Sequence, residues 1–170
     1  VARIHTVIAN PFFSVGVQAD LMNSDINALY ISQSGIMMGD RDYYLDPENE
    51  NIRTAYKEYL GKLFRLGGVP EADIEKAVAG VMNIETKLAE KSWSNTELRD
   101  IPAQYNPTAK AEFEKTYDAI DWPVYYKAMG IGDFDTIIVT TKSSIANAND
   151  LMKNAPLEDI RYYLAAQYLD

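Results

Sequence analysis

Few side chains in this sequence could carry out acid–base, nucleophilic or metal chemistry. His5 is the only histidine, and the 170 residues contain no cysteine. A catalytic zinc site usually takes three protein ligands and a serine triad needs a histidine base, so one histidine supports neither. Gly130-Ile131-Gly132 fits the end of a helix, not a phosphate-binding loop. We therefore predict no catalytic residue, no metal ligand and no cofactor-binding residue here, and we interpret His5 as a surface or strand residue.

The tightest cluster of charged side chains combines two aspartates, an arginine and two tyrosines: Asp40, Arg41, Asp42, Tyr43 and Tyr44. Paired carboxylates could act as acid and base, as in glycosidases. A calcium loop starting at Asp40 is excluded, because its sixth position is Leu45 instead of glycine and its twelfth is Asn51 instead of glutamate. We interpret the motif as structural. Arg41 is expected to pair with carboxylates or backbone carbonyls where a hairpin meets the first long helix.

Tyrosine is abundant, with 12 residues, and six of them form three doublets: Tyr43-Tyr44, Tyr125-Tyr126 and Tyr162-Tyr163. Such doublets could form a surface that binds sugars or peptides. Tyrosine also suits the boundary of a core, because its ring is apolar and its tip is polar. We therefore favour a structural interpretation, in which one ring of each doublet lies in the core and the other lies near its edge.

Composition excludes several classes of protein. Hydrophobic residues make up 47% of the chain and charged residues 24%, as in ordinary globular domains. Sixteen basic residues against 25 acidic ones give a net charge of -9, which argues against binding to nucleic acid. No apolar run approaches the roughly 20 residues of a membrane-spanning helix, and no signal-peptide pattern opens the chain. The absence of cysteine excludes a disulfide framework.

The elements that position these side chains follow from hydrophobic periodicity. Residues 13–18 and 26–33 alternate apolar with polar side chains around a loop of turn formers, which predicts a β-hairpin. From Asp46 onward the period is helical, and the two glycines at 67 and 68 end the first long helix. A short linker should make the first two helices an antiparallel pair. The predicted helices cover residues 47–66, 70–89, 106–117, 122–129, 141–154 and 156–170.

The rest of the chain adds little regular structure to this pattern. Residues 93–105 are predicted to be irregular, and residues 135–141 contain a short strand around Ile137-Ile138-Val139. No internal repeat and no low-complexity linker occurs. The predicted fold class is mainly α: a helical lobe with a small β-hairpin near the N-terminus, formed by residues 1–170 as a single segment.

An ordered series of short motifs resembles the non-catalytic lobe of neprilysin-type zinc metallopeptidases. This family includes the endothelin-converting enzymes and bacterial PepO-like endopeptidases. The motifs span nearly the whole chain, and they are Pro11-Phe12-Phe13, Asp20, residues 30–35, residues 40–45, residues 52–59, residues 85–93, Arg99-Asp100, Tyr105-Asn106, Pro156-Leu157-Glu158 and residues 163–170. Two loops depart from the family pattern, with Met38-Gly39 in place of Leu-Pro and Pro107-Thr108-Ala109 in place of Met-Thr-Leu. The absence of cysteine indicates a bacterial member.

The resemblance implies a role rather than a catalytic site in these residues. The family's zinc ligands, in a His-Glu-x-x-His helix and a later glutamate, do not occur here. The resemblance implies that the chain belongs to the N-terminal helical lobe of a larger two-lobed peptidase, and that this lobe encloses peptide substrates. Zinc and the general base would then lie in the catalytic lobe, and the location would be extracytoplasmic: periplasmic, secreted or membrane-anchored. The alternative is a free-standing helical module that binds a peptide or protein.

The two ends of the chain carry apolar side chains that another lobe would cover. Near the N-terminus these are Ile4, Val7, Ile8, Phe12 and Phe13, and near the C-terminus they are Tyr162, Tyr163, Tyr168 and Leu169. A contiguous exposed apolar patch usually marks an interface. We therefore expect Phe12, Phe13 and Tyr163 to be partly exposed in the isolated segment, and we expect the segment to self-associate.

Overall fold

The structure, a computed structural model, describes residues 2–6 and 10–170. The fold class is mainly α, as predicted. Within these residues there are eight helices and one small sheet of four strands. The helices are α1 (Ala2–His5), α2 (Asp42–Leu45), α3 (Glu50–Leu66), α4 (Glu71–Lys91), α5 (Lys110–Thr116), α6 (Trp122–Met129), α7 (Lys142–Asn154) and α8 (Leu157–Leu169). The strands are β1 (Phe13–Ala19), β2 (Asn27–Gln33), β3 (Pro107–Ala109) and β4 (Thr136–Val139).

The sheet contains the predicted hairpin and two further strands. β1 and β2 pair antiparallel, with Val15 opposite Ile31 and Val17 opposite Leu29. β4 pairs parallel with β2 on its other side, and β3 pairs antiparallel with β4, which gives the order β1-β2-β4-β3. The predicted strand at 137–139 is therefore confirmed, and it joins the hairpin to the second half of the chain.

The predicted helix over residues 106–117 was wrong at its start. Residues 107–109 form β3 against β4, and the helix begins only at Lys110. The strand is three residues long, and its extended form depends on pairing with Thr136 and its neighbours rather than on its own propensity. Residues 93–105 contain two single turns of 3₁₀-helix in an otherwise irregular segment, which agrees with the prediction.

The long helices begin and end where the sequence predicts. The Oδ1 atom of Asp46 accepts a hydrogen bond from the backbone N–H of Glu48, in a 3₁₀ turn that leads into α3. α3 stops before two glycines, of which Gly68 has a φ of +80°. α3 and α4 then run antiparallel, because Gly61 lies near Ile74 while the Tyr56 hydroxyl reaches Glu85.

Two apolar cores fill the molecule. The first lies between the sheet and α4, α6, α7 and α8, and the aromatic rings of Phe13, Trp122 and Tyr125 pack together in it. The second lies among α3, α4 and α8 around Leu60 and Phe64. α8 contributes to both cores, through Tyr163 and Ala166, so it joins the sheet layer to the α3–α4 pair.

The expected exposure of the chain ends was wrong at the three positions named. Phe12, Phe13 and Tyr163 are buried, with exposed fractions of 2%, 1% and 0%. Phe12 has a φ of +68°, and its ring packs edge-on against Tyr163 at 4.9 Å. Phe13 starts β1 and faces the first core. Val7 and Ile8 lie outside the described residues.

The other end residues and the tyrosine doublets give a mixed outcome. Tyr168, which is among the apolar residues expected to be covered by another lobe, is 62% exposed, because α8 turns this side away from both cores. Two doublets follow the interpretation, with Tyr44 and Tyr163 buried and their neighbours less so. In the third doublet both rings are buried, and the Tyr126 hydroxyl has no hydrogen-bond partner among the described residues. No helix in the described part of the chain is long and apolar enough to cross a membrane.

Candidate functional site

The most unusual polar group in the molecule is Glu85, a fully buried carboxylate on α4. Its Oε2 atom accepts hydrogen bonds from the hydroxyls of Tyr44 and Tyr56, both at 2.8 Å. Its Oε1 atom is also buried, and it has no hydrogen-bond partner in the residues that the structure describes. Buried carboxylates are costly unless they are paired or well hydrogen-bonded. We call Tyr44, Tyr56 and Glu85 the tyrosine–carboxylate cluster.

Three helices meet at the tyrosine–carboxylate cluster. Tyr44 comes from α2, Tyr56 from α3 and Glu85 from α4, and the two tyrosine rings pack edge-on with centroids 6.4 Å apart. The Tyr44 hydroxyl also accepts a hydrogen bond from the backbone N–H of Met38, at 3.0 Å. The cluster thus attaches the loop after the hairpin to the first two long helices.

The environment of Glu85 favours its neutral form. Burial raises the pKa of Glu85 to about 7, and the hydrogen bonds from Tyr44 and Tyr56 act in the opposite direction. The Met37 backbone and the Gln167 side chain also lower this pKa, although neither makes a hydrogen bond of normal geometry to Oε1. The pKa values of Tyr44 and Tyr56 are raised by burial and by the nearby carboxylate, so both remain hydrogen-bond donors.

A second polar network lies beside the cluster and holds the hairpin against α8. The Tyr163 hydroxyl accepts from the backbone N–H of Phe12 at 3.0 Å and donates to the carbonyl of Gly35 at 2.9 Å. The Gln167 side chain donates to the same carbonyl at 3.1 Å. Gly35 has a φ of +95°, and a Cβ there would lie 2.2 Å from the Tyr163 hydroxyl oxygen. Only glycine therefore fits this contact.

Gln33, at the end of β2, connects the sheet to the C-terminal end of α4. Its side-chain amide donates to the carbonyl of Trp93 at 2.9 Å, and its Oε1 atom accepts from the Trp93 N–H at 2.8 Å. Ser144 on α7 donates to the same oxygen at 3.1 Å and to the carbonyl of Lys91 at 2.7 Å. Three elements thus meet at one amide.

The predicted motif at residues 40–44 lies at the edge of this region. Arg41 donates from Nη1 to the carbonyl of Ser92 at 2.7 Å, just after α4, and its distance to the Glu97 carboxylate is 4.0 Å. The Oδ1 atom of Asp40 accepts from the N–H of Asp42 at 3.0 Å, and its Oδ2 atom accepts from Asn95. Asp40 therefore bonds to backbone and amide groups, which is not the arrangement of an acid–base pair.

The two tyrosines of the motif have different surroundings. Tyr44 belongs to the tyrosine–carboxylate cluster, whereas the Tyr43 ring is exposed and its carbonyl accepts from the Arg53 side chain at 3.0 Å. Arg41 and Tyr44 therefore attach the hairpin loop to two different places along α4. Tyr44 bonds to Glu85 within the helix, and Arg41 bonds to Ser92 just after its last residue. A structural role for the motif as a whole stays a prediction.

Sequence reasoning missed Glu85 and Tyr56 as partners of this motif. A signal was present in α4, whose apolar stripe runs through Ile74, Val78, Val81 and Leu88. Glu85 occupies the stripe position between Val81 and Leu88, so helical geometry turns it toward the core. A carboxylate on an apolar stripe requires buried hydrogen-bond donors. The tyrosine hydroxyl is one of the few side-chain groups that can supply them.

His5 is placed differently from its prediction as a surface or strand residue. It lies on α1 and is half-buried, and its ring packs edge-on against Phe13 at 4.9 Å. Nε2 lies 3.0 Å from the carbonyl of Pro11, which can only accept, so Nδ1 accepts from the Tyr125 hydroxyl at 2.7 Å. Burial lowers the pKa of His5, while the Pro11 carbonyl opposes that change. Both ring nitrogens are thus occupied.

The family model for peptidase family M13 matches residues 1–170, which is the whole chain.

The chain belongs to peptidase family M13.

Curated relatives also support the assignment of this chain to the N-terminal region of the neprilysin-type family. Endothelin-converting enzyme 1 of Rattus norvegicus is 34% identical over 153 residues, and the match covers 85% of this chain and 20% of that protein. The human endothelin-converting enzyme 1 is 34% identical over 152 residues, covering 84% of this chain and 19% of that protein. The chain thus spans about a fifth of the length of these relatives.

Solved structures share the fold of this M13 chain. The zinc metalloprotease Zmp1 of Mycobacterium tuberculosis in its open state superposes with a TM-score of 0.89 at 23% identity, covering 98% of this chain and 27% of that one. PepO from Lactobacillus rhamnosis superposes with a TM-score of 0.71 at 17% identity, covering 98% of this chain and 26% of that one. The same arrangement of helices and sheet therefore occurs inside both of these longer proteins.

The residues that the structure describes in this M13 chain do not fit the zinc that the family implies. Within residues 2–6 and 10–170, no group of three or more His, Cys, Asp or Glu side chains is arranged to hold a metal ion. Both ring nitrogens of His5 are already hydrogen-bonded, and Glu85 has no solvent contact. The tyrosine–carboxylate cluster also cannot act as a general base, because a substrate cannot reach it.

The raised pKa of Glu85 predicts a specific dependence of stability on pH. Since the folded pKa, about 7, lies above the ordinary glutamate value of 4.5, the folded state holds the proton more tightly. The free energy of unfolding should fall as the pH rises from 4.5 through 7, by about 3 kcal/mol for this group. Glu85→Gln, which cannot ionise, should remove this fall when denaturant unfolding is measured between pH 5 and 8. Glu90→Gln, an exposed change on the same helix, should follow the wild-type curve, and parallel curves for wild type and Glu85→Gln would contradict the assignment.

The contact between Arg41 and Ser92 predicts the effect of removing the arginine. Arg41→Ala should lower the free energy of unfolding by roughly 1–3 kcal/mol, because the buried Ser92 carbonyl loses its donor. Arg99→Ala removes an exposed arginine nearby and should change stability by less than about 0.5 kcal/mol. Chemical denaturation of the three proteins measures the difference. A large loss of turnover in the full-length protein without loss of stability would instead assign Arg41 a catalytic role.

Proposed function

We propose that this chain is part of the substrate-enclosing, non-catalytic lobe of a neprilysin-like zinc metalloendopeptidase. The observation that carries the proposal is the match of the M13 family model to the whole chain. The TM-score of 0.89 with Zmp1 supports it, because the same fold forms about a quarter of that longer zinc metalloprotease. Residues 1–170 would then be a single segment of the N-terminal helical lobe of a two-lobed protein.

The side chains that could act as zinc ligands or as a general base support a non-catalytic role. Hydrolysis of a peptide by a zinc enzyme needs three protein ligands and an accessible general base. Here His5 bonds to Pro11 and Tyr125 and Glu85 is buried, so neither can take part. Zinc and the catalytic residues would be supplied by the remainder of the parent peptidase, and that remainder is the principal partner.

A framework of buried polar contacts suits a lobe that encloses a substrate. The tyrosine–carboxylate cluster connects α2, α3 and α4, and Tyr163 ties the hairpin loop to α8. Such contacts hold the segment in one shape, so that the lobe can limit which peptides reach a distant catalytic centre. Peptides are the proposed substrates, the net charge of -9 argues against binding to nucleic acid, and the proposed location is extracytoplasmic.

Zinc content and peptide hydrolysis test the proposal directly. The full-length protein should keep stoichiometric zinc after dialysis and should cleave a fluorogenic peptide in a reaction that a chelator stops. The 170-residue chain should do neither, because it lacks a ligand set. Stoichiometric zinc or turnover in the isolated chain would overturn the proposal. A full-length protein without zinc and without turnover would instead favour a free-standing helical binding module.

A further inference from the structure

The two edges of the sheet are built differently. β3 forms one edge, and it is three residues long, begins with Pro107 and is followed by Lys110. Short length, proline and lysine are features that prevent another strand from pairing with an edge. β1 forms the other edge over Phe13–Ala19, and its seven residues include neither a charge nor a proline. β1 therefore lacks the protection that β3 has.

The backbone of β1 directs polar groups toward this open side. The N–H of Asp20 donates to the carbonyl of Ile26 at 2.9 Å, so these two residues are a hydrogen-bonded pair of the ladder. Hydrogen-bonded and non-hydrogen-bonded pairs alternate in an antiparallel ladder. Counting back along β1, Val17 and Val15 fall in non-hydrogen-bonded pairs. Their N–H and C=O groups therefore point away from β2.

The hydrogen bonds of β2 on the side that faces β4 agree with this alternation. The carbonyl of Ile31, which pairs with Val15, accepts from the N–H of Thr140 at 3.0 Å on the side of β4. Both faces of the sheet are uncovered at this part of β1. Val17 is 62% exposed on one face, and on the other face no atom of a more distant residue lies within 4 Å of the position that a Cβ on Gly16 would occupy.

The hairpin tip determines which peptide would suit this edge. A strand that pairs antiparallel with β1 brings its N-terminal end to the tip, where the exposed Asp25 carries negative charge, whereas Asp20 is buried and bonds to the Tyr105 hydroxyl. A positive charge at that end of the strand is therefore favoured. Val17, Leu21 and Met22 are exposed near the same end, so apolar side chains at alternate positions would pack beside them.

We propose that the open edge of β1 binds an extended peptide as a fifth, antiparallel strand, with apolar side chains at alternate positions and a positive charge at its N-terminal end. Main-chain hydrogen bonds to Val15 and Val17 give the affinity, and the alternate side chains give the selectivity. Such peptides belong to the substrate class of the proposed function, on which the biological role of this edge rests.

Backbone methylation of a peptide tests main-chain recognition without changing the protein. The probe is the synthetic peptide Lys-Val-Thr-Val-Thr-Val. In the proposed register its valines lie directly opposite Val15 and Val17, on the same face of the sheet. The valine amides therefore make the proposed hydrogen bonds, whereas the threonine amides point away from β1. Methylation of the valine amides should weaken binding at least about tenfold, whereas methylation of the threonine amides should leave it nearly unchanged. Replacing the N-terminal lysine by glutamate should weaken binding at low salt.

Matched variants test the same edge from the side of the protein. Val17→Pro removes an outward N–H at an edge position where proline is tolerated, and it should weaken binding about tenfold. Val17→Thr keeps the N–H and the branched side chain, and it should bind like the wild type. Hydrogen exchange of the Val15 and Val17 amides, measured in the full-length protein, should slow when the peptide is added. The methylated peptides keep the test decisive if Val17→Pro fails to fold.

Four results would overturn the inference. They are equal binding of both methylated peptides, protection of amides elsewhere than β1, protection of Val15 and Val17 before any peptide is added, and dimerisation through β1 in place of peptide uptake. The proposed function is tested independently of this edge site, by zinc content and peptide turnover. Zinc and turnover without protection of β1 would reject this edge site alone, whereas protection of β1 without zinc or turnover would reject the proposed function alone.

Discussion

A carboxylate without solvent contact is the constraint on which the arrangement of this chain depends. Burying Glu85 is unfavourable unless donors reach it, and the donors come from two other helices. Tyr44 and Tyr56 both satisfy one of its oxygens, so α2 and α3 must lie where their hydroxyls meet α4. The loop between the hairpin and α2 follows, because its Met38 N–H bonds to the Tyr44 hydroxyl.

The same region connects the two cores of the molecule. Tyr163 lies in the first core and bonds to Phe12 and Gly35, while Ala166, one turn further along α8, lies in the second. α8 therefore fixes the open end of the hairpin, and the tyrosine–carboxylate cluster fixes the loop that follows the hairpin. One end of β1 is fixed in this way, whereas residues 16–19, toward its other end, are exposed. A fixed strand with an open edge is suited to binding an extended chain without rearrangement.

The sequence predicts the parts of this fold that are encoded by local periodicity. The stripes of α3 and α4, the cap at Asp46 and the alternation of the hairpin all correspond to elements of the structure. β3 was missed because three residues carry no period, and their extended form comes from pairing with β4. Burial of Phe12 could not be predicted either, since a positive φ is unusual for a large side chain and is imposed by tertiary contacts.

Prediction of the candidate site was limited by a different kind of information. The motif at residues 40–44 could be identified from its charges, but its contacts with Ser92 and Glu85, 51 and 41 residues away along the chain, depend on how α4 packs. Glu85 itself could have been found as a carboxylate on an apolar stripe. Its tyrosine partners could not, because twelve tyrosines offer too many candidates for the two donors.

Carbon-13 NMR of the Glu85 side-chain carboxyl, followed as a function of pH, tests the role of the buried carboxylate most directly. The resonance should titrate near pH 7 in the wild type, because burial raises the pKa of Glu85 to about 7. In Tyr44→Phe the same resonance should titrate at a higher pH, since one of the two hydrogen bonds that stabilise the charged form is gone. A Glu85 carboxyl that titrates near the ordinary value of 4.5, unchanged by Tyr44→Phe, would contradict a buried carboxylate that holds these helices together.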